Sequence, residues 1–66
     1  MKLTVYKFKA AHPQYQPGAE IVVAHTCTSK AYELAECTTN CALSIAETLG
    51  EQEMDAPQII SNSFKQ

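Results

Sequence analysis

The feature that most constrains this chain is residues 29–50, SKAYELAECTTNCALSIAETLG. At about 100° per residue it gathers Ala31, Leu34, Thr38, Cys41, Ala42, Ile45 and Leu49 on one stripe, as a helix lying on a core requires. A hydroxyl at Thr28 or Ser29 can cap its start, and Gly50 can close it as a C′ residue. Glu33 and Glu36 sit early, where the helix dipole favours negative charge. The weak point is Thr38-Thr39-Asn40, because β-branched residues and Asn are mediocre helix formers, so the run leaves open whether the helix is continuous, kinked or split in two there. Leu34 and Ile45 lie nearest the centre of the stripe and are the expected core anchors. Tyr32 and Leu43 fall on the opposite, solvent side, beside Glu36 and Thr39.

The remaining segments read as the sheet under this helix. Residues 2–10, KLTVYKFKA, are rich in β-branched and aromatic side chains and contain no Gly or Pro, so they form a strand. Burying Tyr6 and Phe8 hides more apolar surface than burying Leu3 and Val5 and leaves Lys7 and Lys9 in water, which puts Tyr6 and Phe8 under the helix. Residues 11–20 carry Pro13, Pro17 and Gly18 and make the connection to a short second strand, IVVAH at residues 21–25. After the helix, residues 51–57 form an acidic loop ending in Pro57. Residues 58–64, QIISNSF, form an edge strand with Ile60 and Phe64 on one side.

The order β-β-α-β gives an α+β domain in which one helix covers one face of a three-stranded antiparallel sheet. A right-handed crossover from the second strand to the third yields the spatial order 2-1-3, with the first strand central. The uncovered face then carries Leu3, Val5, Lys7 and Lys9, and both edge strands keep unpaired backbone groups. Together with Tyr32 and Leu43 on the outer helix face, these residues are the candidate partner-binding set.

Composition narrows the function classes. Sixty-six residues make one domain, of a size that buries only about 60% of its unfolded surface and is marginally stable alone. Three cysteines cannot all pair within the chain, and no secretory leader is evident, so a reducing cytoplasm is expected. No apolar run approaches the roughly 20 residues that span a bilayer. A net charge of −2 disfavours nucleic acid. That alternative needs Lys2, Lys7, Lys9 and Lys65 gathered on one face, or Tyr6 and Phe8 exposed as a stacking platform.

Chemistry-bearing groups are few. His25, Cys27, Cys37 and Cys41 include zinc-ligand types, but H-x-C followed much later by C-x3-C matches no common zinc pattern, so neither metal nor cofactor is expected. Cys27, near the helix start, is the thiol best placed for a lowered pKa. Nucleophilic catalysis would further need His12 or His25 brought to a cysteine. No Gly-rich phosphate loop or G-x-S-x-G elbow is present, and Glu51, Glu53 and Asp55 read as a solvated charge run. The chain is not expected to be an enzyme.

The strand-to-helix joint VVAHTCTSKAYELAE, set in this order of elements, resembles many short proteins of phages and mobile elements, among them some anti-CRISPR inhibitors. The resemblance covers most of the chain as a pattern and assigns no residue a role. It implies a small rigid domain that binds one host protein and blocks it. The expected function is therefore a non-enzymatic protein-binding module, with a homodimer as a second use of its free edges. A nucleic-acid domain and a metal or thiol protein are the alternatives.

Overall fold

The computed structural model describes residues 1–12, 14 and 16–64. Pro13 of the first connection and Lys65 of the lysine set lie outside these described residues. The chain forms β1 (Lys2–Ala10), β2 (Glu20–His25), α1 (Thr28–Thr39), β3 (Leu43–Glu53) and β4 (Gln58–Asn62). Neighbouring strands are antiparallel, in the order β3-β1-β2-β4. The α+β class and the single helix hold. The sheet has four strands rather than three, and the C-terminal strand lies beside β2, not beside β1.

β1 occupies the whole segment expected of it, and β2 pairs with it from Thr4↔His25 to Lys9↔Glu20. Before β2, Pro17 and Gly18 occupy a tight turn in which the Ala19 N–H donates to the Gln16 carbonyl at 3.1 Å. Gly18 sits there at φ 74°, a conformation that costs glycine little.

The helix departs most from expectation. It ends at Thr39, and Asn40 adopts the left-handed conformation (φ 56°) and donates its N–H to the Glu36 carbonyl at 2.7 Å. The Thr38 and Thr39 hydroxyls donate back to the carbonyls of Leu34 and Ala35 at 2.8 and 3.0 Å, as Ser and Thr do in a helix. The weak Thr-Thr-Asn run is thus a terminus and not a kink. Residues 43–53 form a strand, because their backbone pairs along all of β1, and strand preference depends on such neighbours more than on intrinsic propensity.

That change reassigns several side chains. Leu43, expected in solvent, is buried in the core. Ile45 and Leu49, expected in the core, are 41% and 48% exposed. Leu34 is only half-buried at the core margin, and the helix instead buries Ala31, Ala35 and Thr39. The N-cap is Cys27, without a side-chain cap bond, so neither Thr28 nor Ser29 caps the helix. Glu51 and Glu53 belong to β3 rather than to a loop, and Gly50 lies within that strand. On β4, Ile59 rather than Ile60 packs on the core, while Phe64 beyond it is buried.

Apolar clusters lie on both faces of the sheet. Beneath α1, Tyr6, Phe8, Ala10, Ile21, Val23, Ala31, Ala35, Leu43 and Phe64 form the main core, which places Tyr6 and Phe8 as expected. On the opposite face Leu3, Val5 and Ala24 form a second cluster, with Val22 and Met54 packed against it. This face was expected to be open, yet Leu3 is 0% and Val5 7% exposed. The topology accounts for part of the cover. β3 and β4 occupy opposite edges, so the chain between them must cross the ends of β1 and β2, and it carries Met54 onto the cluster. Met54 is pinned there by its N–H, which donates to the Met1 carbonyl at 2.8 Å.

Candidate functional site

The surface that the fold leaves least satisfied is the outer side of β3. Paired along the nine residues of β1 at about 3.3 Å each, the strand is about 30 Å long, most of the 36 Å long axis of the molecule. The twelve residues of α1 reach only about 18 Å whatever their tilt. One helix is therefore too short to cover the whole of β3. Leu43, at the start of the strand, is its one buried residue, and every position from Ile45 to Glu53 is exposed.

Pairing with β1 is interrupted twice. Lys7 and Phe8 face Glu47 and Ile45, leaving Ala46 over, and Val5 and Tyr6 face Gly50 and Thr48, leaving Leu49 over. Each extra residue is a bulge, which bends the strand and re-aims the side chains beside it. Gly50, at φ 101°, takes up the second bulge. Beyond β3 the sheet has no further strand among the described residues, so the outer edge presents backbone N–H and C=O groups to solvent.

Tyr32 closes one end of that edge. Its ring packs on Phe8, with centroids 4.6 Å apart and planes at 55°, and its hydroxyl accepts the Ile45 N–H at 2.9 Å. The side chain expected to be an exposed anchor instead ties the helix to the edge strand. The free part of the edge is residues 46–53.

The charges here have one sign. β3 carries Glu47, Glu51 and Glu53 and no Lys or Arg. Lys7 reaches Glu20 at 3.3 Å and Glu47 at 3.6 Å, bridging three strands on the face opposite the helix. Its pKa is raised above the ordinary 10.5, mainly by the hydrogen bond and charge of Glu20, with Glu47 adding to it. The N-terminal ammonium lies 3.3 Å from Glu53. Glu51 has no ion pair among the described residues.

The six candidate binding residues do not make one surface. Leu3 and Val5 are buried on one face and Leu43 on the other, while Tyr32 is half-buried against Phe8. Lys7 is half-buried and ion-paired, and Lys9 alone of the six is exposed. The residues that sequence reasoning missed are Ile45 and Leu49, which it had assigned to the core. Asn40, a residue that tolerates the left-handed conformation, was the available sign that the helix stops before them.

The thiols and imidazoles meet at most in pairs among the described residues. Cys27 is exposed, and its pKa is lowered by hydrogen bonding from the Ser29 hydroxyl, 3.6 Å from the sulfur, and then from the Lys30 backbone. His25 Nδ1 accepts the Thr26 N–H at 2.8 Å. His12 and Cys41 line one hollow of about 210 Å³, but the Cys41 thiol donates to the Thr39 carbonyl at 3.3 Å. His25 and Cys37 line a separate open depression with Lys30, Glu33 and Leu34. Among the described residues no three His, Cys, Asp or Glu side chains are grouped to hold a metal. No described helix is long and apolar enough to cross a membrane.

Comparison of this chain with protein families, curated proteins and solved structures found no match.

Proposed function

We propose that this protein is a non-enzymatic protein-binding module and that it docks its partner on the outer edge of β3. The observation that carries this reading is a long edge strand whose outer side has no neighbouring strand among the described residues, with Ile45 and Leu49 exposed on it. Adding a strand to such an edge supplies main-chain hydrogen bonds, while exposed side chains select the partner. Inhibition of a host protein, which the resemblance to phage and mobile-element proteins implies, needs no more than such occupation.

The nucleic-acid alternative is weakened by two features. Tyr6 and Phe8 are buried and unavailable for stacking, and Lys7 is held between two carboxylates. The Cys and His groups give less support to a metal role, since among the described residues they meet only two at a time and no three are grouped.

The test is partner capture from the source cells with three forms of the protein. Leu49→Asp, on the exposed bulge of β3, should fold as the wild type does and lose the partner. Ile60→Asp, on the opposite edge, should fold and retain it. A partner held equally by all three forms would rule out docking at β3.

A further inference from the structure

We infer that residues 46–53 of β3 accept an extended basic strand from another protein, and not a second copy of this chain; this rests on the proposed docking at β3. Strand addition asks for an edge with free backbone groups, and two alternatives to β3 are weaker. The edge at β4 is only five residues long, is preceded by Pro57, and continues into a tied segment. There the Ser63 hydroxyl donates to the Glu20 carbonyl at 3.0 Å, and the Glu20 N–H donates to Ser63 Oγ at 2.8 Å. The surface around Cys27 offers a single exposed thiol at a helix start, which is too little to hold a ligand.

Charge selects between the remaining occupants. Two copies of β3 paired with each other would line up six carboxylates along one strand pair, Glu47 of each copy on the Lys7 face and Glu51 and Glu53 on the other, with no cation supplied by either strand. Like charges across a strand pair are destabilising and opposite charges stabilising. Glu47 is partly offset by Lys7 and Glu53 by the N-terminal ammonium, whereas Glu51 has no such pair among the described residues. Glu51 is therefore the carboxylate with most to gain from a cation brought by the partner. The exposed Leu49 asks in addition for an apolar side chain on the incoming strand. An extended segment alternating Lys or Arg with aliphatic residues meets both demands.

A short synthetic peptide of alternating lysine and valine is the probe, read by titration and by amide hydrogen exchange of the full chain. It should slow exchange across residues 46–53, bind more weakly as salt is added, and bind at least about tenfold better than the glutamate–valine peptide. Glu51→Lys should weaken it by about fivefold, the equivalent of one cross-strand charge pair. This substitution lies on an exposed strand position, and circular dichroism verifies its fold. A lysine–valine peptide with alternate backbone nitrogens methylated should give no protection, because it cannot complete the ladder. Equal binding of the two charge types, of the methylated peptide, or by the Glu51→Lys variant would overturn the basic-strand assignment. So would protection of β3 that grows with protein concentration in the absence of peptide, which would make a second copy the occupant. None of these results touches the capture test with Leu49→Asp, so failure of the charge argument and failure of docking at β3 are read separately.

Discussion

β1 and β3 are hydrogen-bonded to each other along almost their whole lengths, yet one is the centre of the molecule and the other its surface. In β1 only Lys2 and Lys9 are exposed, with Tyr6, Phe8 and Ala10 under the helix and Leu3 and Val5 on the opposite cluster. In β3 nine residues are exposed. Apolar content does not explain this, since β3 offers Leu43, Ile45, Ala46 and Leu49. The difference is position: β1 has a strand on either side and apolar cover on both faces, whereas β3 has one neighbour and a helix too short to reach along it. Burial in so small a sheet is conferred by neighbours, and a strand lacking them keeps its apolar side chains for something else.

The sharpest test of this contrast sets Phe8→Ala against Leu49→Ala. Loss of the ring should cost about 3–5 kcal/mol, enough to unfold a domain of this size, while the exposed Leu49 should change stability by no more than about 0.5 kcal/mol. Chemical denaturation of both variants decides it, with Phe8→Leu as the graded substitute if Phe8→Ala does not fold. Comparable losses would mean that β3 is covered in solution. Leu43→Ala comes next, at about 2–3 kcal/mol, because this is the one position at which β3 enters the core. A negligible shift in its thermal melt would place the start of β3 outside the core.

Gly50→Ala probes the bulge alone. An added Cβ would meet nothing within 4 Å, so any loss reflects only the backbone at φ 101°, for which about 1–3 kcal/mol is expected. An unchanged denaturation midpoint would show that the bulge relaxes freely. Tyr32→Phe keeps the ring on Phe8 but removes the acceptor of the Ile45 N–H, and should cost about 0.5–1.5 kcal/mol with faster exchange of that amide. Unaltered exchange would separate the helix from the edge strand.

The smallest effect is a pH dependence. The folded pKa of Lys7 is raised, so the stability from its pairs with Glu20 and Glu47 is fully present below the ordinary 10.5 and is lost as pH rises through the folded value. The stability difference between wild type and Lys7→Met should therefore shrink only above about pH 10.5. A difference that stays flat through that alkaline range would remove Lys7 as a pin between β1 and its two neighbours.

The amino-acid sequence alone determined β1 to its ends, the Pro17-Gly18 turn, the start of the helix to within a residue though not its cap, and the placing of Tyr6 and Phe8 beneath it. Those features arise from local propensity, or from the cost of hiding an ammonium group, and neither depends on what the rest of the chain does. Residues 43–53 are different, because Leu, Ala and Glu suit a helix and the spacing of Ile45 and Leu49 continues the stripe of α1. Asn40 offered a local place to stop, but only the tertiary structure decided that the helix closes there and that the backbone beyond it pairs with β1, because that pairing is a long-range choice. From that choice came the fourth strand, the crossing that carries Met54 over Leu3 and Val5, and the exposed edge where the candidate site lies. Edge and centre are relations between strands, so the sequence could name the residues of β3 but not the side of the molecule on which they would stand.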